Sequence, residues 1–171
     1  MQATVYERRQ EFRTADSGAR KSWQDKLREP KGLPKVVKLK EKAKVRWGGN
    51  NMVVPSPQEV EGLMRQVPPG KVTTINAIRV TLARRHRAAI ACPVTTGIFV
   101  WIIANAAAEM ERQGRRTTTP FWRTLKSDGS LNEKYPGGRA RQRQQLEREG
   151  HTIISRGDKL IVADFEKALV A

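Results

Sequence analysis

Cysteine and histidine are nearly missing from this chain: its 171 residues include a single cysteine, Cys92, and two histidines, His86 and His151. A lone thiol excludes an internal disulfide, and so few soft ligands argue against a zinc site built from Cys and His. No metal and no cofactor is expected, and a reducing, cytosolic setting fits. Long apolar runs are scarce as well. No stretch approaches the roughly 20 apolar residues of a membrane span. The opening MQATVYERRQEF has neither an apolar core nor a cleavage pattern, so it does not read as a secretory signal. Acidic residues are outnumbered, with 17 Asp and Glu facing 33 Lys and Arg, a net charge of +16. A field of that sign gathers polyanions, so nucleic acid is the default partner and an anionic membrane surface the second. What remains, 38 % apolar residues, suffices for one modest core. One domain with an extension is the expected organisation.

The charge is uneven. Residues 1–50 hold 14 Lys and Arg against 6 acids, a net +8, half the total. Ser22 is placed to cap a short helix that pairs Trp23 with Leu27, and Pro30, Gly32 and Pro34 break it. A period of two follows. Val37, Leu39, Ala43, Val45 and Trp47 alternate with Lys38, Lys40, Lys42, Lys44 and Arg46, interrupted on the apolar side by Glu41. In an extended chain this puts the cations on one face. Two readings stand: an arm that lays its basic edge on phosphates, or a Lys-guarded edge strand or solvated linker.

A compact domain is expected over 52–150, after an extension over 1–51. A helix is predicted over Gln58–Gln66, with Val60, Leu63, Met64 and Val67 inward. After the Pro68-Pro69-Gly70 turn, Thr73 or Thr74 caps a helix to about His86 that buries Ile75, Ile78 and Leu82. Thr95 or Thr96 caps the next, from Gly97 to about Gln113, apolar almost all round and therefore buried. Helix, short connection, helix on a basic domain is compatible with a helix-turn-helix. Leu125–Leu131 reads as a hairpin with an Asp-Gly turn, and Arg139–Glu149 as a charged helix stopped by Gly150. Over 151–171, a hairpin turns at Gly157-Asp158 and a short helix spans Asp164–Leu169.

Three stretches, in this order, resemble the DNA-binding domain of the O6-alkylguanine-DNA alkyltransferase family. Val67-Pro68-Pro69-Gly70-Lys71-Val72-Thr73-Thr74-Ile75 is similar to that family's I-P-x-G-x-x-x-(S/T)-Y entry to the helix-turn-helix. Pro120-Phe121-Trp122-Arg123 stands where it has P-C-H-R. Tyr135-Pro136-Gly137-Gly138, with Leu146 and Glu149-Gly150 following, resembles Y-x-G-G…L-L-x-x-E-G. The resemblance spans roughly residues 55–150. It implies an α+β, mainly helical fold: a winged helix-turn-helix of the alkyltransferase C-terminal type, with a basic N-terminal extension and a C-terminal hairpin. The departures carry as much meaning. Phe121 replaces the family's nucleophilic Cys and Trp122 its His. Neither side chain can accept an alkyl group or act as a base, so the self-alkylating reaction is not expected. The alkyltransferase-like branch keeps the fold without that cysteine. Ile75 stands in place of the Tyr that helps rotate the nucleotide, and about Gly97 in place of the Arg that enters the duplex.

The resemblance implies a pocket for a modified guanine at Phe121, Trp122, Tyr135 and Pro136; the alternative is a filled core and a docking turn. It implies DNA contacts from Thr73, Thr74, Ile75, Thr95, Thr96, Arg84, Arg85 and Arg123. The threonines equally suit helix capping, Arg84 and Arg85 a solvated face, and Arg123 bracing of the fold. The expected function is that of a monomeric, non-enzymatic protein, cytoplasmic and nucleoid-associated. It would bind double-stranded DNA at alkylated guanine and mark it for excision-repair proteins. The rivals are a winged-helix nucleic-acid binder without lesion preference, an alkyl acceptor at Cys92, and a protein-interaction module.

Overall fold

A computed structural model describes residues 20–29 and 31–170. The opening stretch read as no secretory signal, and Pro30, lie outside them. Helix α1 (Trp23–Arg28) starts with a capping box: the Ser22 side chain accepts from the Asp25 amide while Asp25 accepts from the Ser22 amide. Leu27 is buried and Trp23 packs edge-on against Trp101, ring centres 4.7 Å apart. Strand β1 (Lys35–Lys38) follows, then helix α2 (Glu41–Trp47) and strand β2 (Asn51–Val54).

The alternating basic run is therefore not one extended arm. Only its first residues form a strand, and Glu41–Trp47 is helical. Glu, Lys, Ala and Arg are good helix formers, and Gly48, at φ +68°, closes the helix in the left-handed conformation that glycine adopts freely. In a helix, Lys42 and Arg46 share a face while Lys44 points elsewhere and pairs with Glu41 at 2.6 Å. Lys38, Lys40, Lys42 and Arg46 are exposed, but they do not form the single cationic edge expected from the period of two.

Strand β2 pairs antiparallel with β1 and parallel with β4 (Ile90–Ala91). Packing does not break at residue 51: Leu27 and Val53 share one core with Val60, Met64, Leu82, Phe99 and Ile103. Helix α3 (Pro57–Arg65) begins with a second capping box, Ser56 with Glu59. Glu59 also meets His86 at 2.6 Å, tying the start of α3 to the end of α4 (Ile75–Arg85). The short strand β3 (Thr73–Thr74) runs into α4, which Thr74 caps by accepting from the Ala77 amide at 3.0 Å.

Helix α5 (Pro93–Arg112) begins earlier than its threonines suggest: Cys92 is the N-cap and Pro93 the first helical residue. Proline's fixed φ suits that position, where its missing amide costs nothing. Thr95 and Thr96 are thus not caps. At 20 residues α5 is long and apolar enough to span a bilayer, contrary to the expectation, yet most of its length is sheathed by α1, α3 and α4 as a core helix. Burying each of Phe99, Val100, Ile102 and Ile103 stabilises the fold by about 1.5–3 kcal/mol.

A 3-10 turn (Phe121–Arg123) leads to strand β5 (Thr124–Leu125), parallel to β3. The expected hairpin over Leu125–Leu131 is a tight turn, closed by the Lys126 amide on the Ser130 carbonyl at 2.9 Å; beyond it Leu125 pairs with β3, while Ser130 and Leu131 join the C-terminal hairpin at Ile161 and Leu160. Helix α6 (Gly138–Arg148), the hairpin β6–β7 (Ile153–Arg156, Lys159–Val162) and α7 (Phe165–Ala168) complete the described chain. Val72, Leu125, Leu131, Leu146 and Val162 form a second core, and Trp122 packs against both.

Candidate nucleic-acid interface

The three motifs of the resemblance meet at one carboxylate, Glu149. Arg123 reaches it with Nε at 3.0 Å and Nη2 at 2.7 Å, and the Trp122 indole N–H donates to it at 2.9 Å. The Gly70 amide adds a weaker bond, and Arg123 Nη1 donates to the Val67 carbonyl at 2.7 Å. Burial pushes the Glu149 carboxyl upward in pKa. The bonds from Arg123 and Trp122, with the Arg123 charge, outweigh that and hold it below its ordinary value. Arg123 therefore braces the fold.

Phe121 is fully buried, flanked edge-on by Trp122 and Tyr135 with ring centres 5.7 and 5.5 Å away. Tyr135 is 3 % exposed, and its hydroxyl donates to the Thr124 carbonyl at 3.0 Å. Burial raises the phenol pKa well above its usual range, against the opposing bond with Asn132. Gln142, also buried, donates to the Trp122 and Thr124 carbonyls and accepts from the Asn132 amide. Of the expected modified-base pocket, Phe121 and Tyr135 are thus core residues, whereas Pro136 and Trp122 are half-buried and Trp122 lines, with Pro120, Arg65, Arg116 and Arg123, a cavity of about 500 Å³. Gly137 and Gly138, at φ +80° and +62°, make the turn that brings α6 beside them.

The threonines are likewise committed. Thr73, Thr74 and Thr96 are buried, and Thr96 donates to the Cys92 carbonyl at 2.7 Å. Thr95 is half-buried and its hydroxyl lies 3.2 Å from the Cys92 sulfur. The Thr74 side chain caps α4, and that of Thr96 bonds back to the N-cap carbonyl of α5. Arg84 and Arg85 are exposed at the end of α4. The basic β1–α2–β2 unit is fixed beside them, because Asn51 accepts from the Ala89 amide and donates to the Arg87 carbonyl.

Open space lies on another side of α5. A cavity of about 810 Å³ is lined by Ile75 at the start of α4, by Pro93, Val94, Gly97, Ile98 and Trp101 of α5, and by Lys126 and Asn132–Lys134. One wall is apolar; the other carries Lys126, paired with Glu133, and the exposed Lys134. Of the expected site residues only Ile75 lines it. Sequence reasoning passes over Val94, Ile98, Trp101, Asn132 and Lys134 as site residues. The i, i+4, i+7 spacing of Val94, Ile98 and Trp101 is a usable signal, but in a helix apolar all round it does not stand out. Among the described residues no three His, Cys, Asp or Glu side chains gather into a metal site.

Helices α4 and α5, the connection between them and the flanking small sheets define a winged helix-turn-helix domain of the alkyltransferase type, with the basic extension packed onto it. Its fold is that of an alkyltransferase-like protein: S. pombe ATL, solved in complex with DNA, aligns with a TM-score of 0.50 at 21 % identity, over 67 % of this chain and 94 % of that one. S. pombe Atl1, solved in complex with damaged DNA containing O6-carboxymethylguanine, aligns with a TM-score of 0.47 at the same 21 % identity and the same coverage. No family model matches the chain, and no curated protein matches it significantly.

Proposed function

We propose that this chain binds duplex DNA, recognises a modified guanine nucleotide, and marks the lesion for repair proteins. The observation that carries the reading is the cavity at the N-terminal ends of the helix-turn-helix pair. Its apolar wall suits the face of a base, and its lysine rim suits the phosphate. The net charge of +16 supplies the sequence-independent attraction. Ile75 bears on the base through this cavity, and Lys126 and Lys134 bear on the backbone. Arg84, Arg85, Lys38, Lys40, Lys42 and Arg46 extend the interface along the duplex. With Phe121 and Trp122 in place of a nucleophile and its base, persistence at the lesion replaces chemistry. We place this monomeric activity in the cytoplasm, at the nucleoid, with excision-repair proteins as successors.

The test is a titration of one duplex containing guanine and the same duplex containing O6-methylguanine, at two salt concentrations. Tighter binding of the lesion by about tenfold, or about 1.4 kcal/mol, is expected. Equal affinities that both fall with salt would reject lesion recognition. They would leave a general winged-helix binder, the reading favoured by the burial of Phe121 and Tyr135.

A further inference from the structure

The sheet β1–β2–β4 has two edges, and they differ. At the β4 edge the strand is only Ile90–Ala91, and the Ala91 carbonyl accepts from Arg79 Nε at 3.1 Å. The β1 edge is open. The Leu39 amide donates to the Asn50 carbonyl at 2.8 Å, one step beyond the paired residues of β1 and β2. Bonded pairs alternate in an antiparallel ladder, so Lys35 and Val37 face β2 while Val36 and Lys38 turn their N–H and C=O groups outward. Among the described residues nothing bonds to those outward groups. The side chains of the edge are equally available. Val36 is 45 % exposed, and a groove of about 620 Å³ runs beside it, lined in part by Val37, Lys38, Leu39, Lys44 and Asn50. Lys35 and Lys38 stand exposed at the two ends of the strand.

We infer that the β1 edge docks an extended, acidic segment of a partner protein, which joins the sheet as an added strand. The outward main-chain groups of Val36 and Lys38 supply the bonds, and the side chains select the sequence. A second copy of this chain is a poor occupant. Because the strand reads Lys-Val-Val-Lys, self-pairing in either direction sets lysine opposite lysine at both ends, and like charges so placed destabilise a sheet. The lysines thus guard the edge against its own kind and admit the opposite charge. Duplex phosphates answer the lysines, but they offer no N–H donor to the outward carbonyls and nothing apolar to Val36. A peptide strand offers all three. Its complement to this edge has acids opposite Lys35 and Lys38 and β-branched residues opposite Val36 and Val37. Of the cations assigned to DNA only Lys38 lies in this strand, so a docked segment leaves Arg84, Arg85 and the helix-turn-helix to the duplex. The inference goes beyond the DNA reading and stands without it.

The experiment uses the full chain and a short dye-labelled peptide with the core Glu-Val-Val-Glu, its binding read by anisotropy. The same peptide N-methylated along its pairing edge should bind about tenfold more weakly, because main-chain bonds are lost while charge is kept. A peptide with the core Lys-Val-Val-Lys should not bind, and the double substitution Lys35→Glu, Lys38→Glu should exchange the two preferences. Val36→Pro removes an outward N–H and leaves the ladder to β2 bonded, so it should weaken the acidic peptide, whereas Val36→Thr should not. Thermal unfolding checks that both variants fold; should Val36→Pro fail to, the N-methylated peptide decides on the unaltered protein. Equal binding of the N-methylated and unmodified peptides overturns the added strand and leaves the edge to polyanions such as DNA. No binding of the acidic peptide overturns it too, and so does dimerisation of the chain that Val36→Pro abolishes, which gives the edge to a second copy. Failure of the chain to bind duplex DNA at low salt rejects the DNA reading alone.

Discussion

Two regions flank the long helix α5, and they have opposite character. Around Glu149 the side chains are tied to one another or to the backbone: Phe121 between two rings, Tyr135 on a carbonyl, Arg123 and Trp122 on one carboxylate. Across α5, at Val94, Ile98 and Trp101, apolar side chains face open space beside lysines. Phe121, Trp122 and Arg123 act as a strut between the two cores, and the accessible surface across α5 has few polar partners to offer. The Phe121 ring is stabilised by burial, and its neighbours close over it.

This contrast is most directly broken at Phe121. Phe121→Ala removes a fully buried ring from a packed core and should destabilise the protein by about 3–5 kcal/mol, read by denaturant or thermal unfolding. Ile98→Ala, on the open side, should leave the melting curve almost in place. If Phe121→Ala instead costs little and alters DNA affinity, the strut is a pocket after all.

Glu149 gives the next effect. Glu149→Gln strips the charge partner from an Arg123 side chain that is 12 % exposed, and should cost about 3 kcal/mol near neutral pH. The pH dependence fixes the cause. The folded carboxyl lies below its ordinary 4.5, so its contribution is fully present above that value and is lost as pH falls through the lower, folded one. Wild type and Glu149→Gln should therefore differ most at neutral pH and converge as pH falls through the folded value, in melts of both proteins. A gap that persists in acid would assign the loss to packing.

The basic unit tests the other side of the comparison without touching either core. Substituting Lys38, Lys40, Lys42 and Arg46 together by serine should leave stability nearly unchanged, since all four are exposed. It should flatten the dependence of log affinity on log salt by about 0.9 for each phosphate that is no longer neutralised. Arg123→Lys, by contrast, should leave that slope alone while lowering the melting temperature, because its guanidinium is spent inside the fold.

Much of this architecture could be read from residues alone, for local reasons. Ser22 and Thr74 announce their helices by side-chain caps, and Gly157-Asp158 announces its hairpin. The alternating run misleads because a period of two over Lys, Ala and Glu competes with their helix propensity, and a left-handed Gly48 settles it for residues 41–47. Thr95 and Thr96 mislead because Pro93 starts the helix earlier. The site is legible only as a set of motifs. Their order points to the fold, but their common dependence on Glu149 is a matter of residues far apart in the chain. Whether Phe121 lines a pocket or fills it depends on the distance to Tyr135, which spacing cannot give.

Cys92 provides the smallest expected effect and the cleanest discrimination between binding and chemistry. Its sulfur sits at the start of α5, with the Thr95 hydroxyl 3.2 Å away. A hydroxyl can donate to sulfur but cannot take its proton at neutral pH, and no His or carboxylate bonds to it among the described residues. Alkyl transfer from O6-alkylguanine needs an activated thiolate held against the carbon, so the chain incubated with labelled alkylguanine duplex should acquire no label. Cys92→Ser, which keeps a polar N-cap, should bind the lesion with unchanged affinity. Stoichiometric label that is lost on that substitution would identify Cys92 as an alkyl acceptor and reject the non-enzymatic reading.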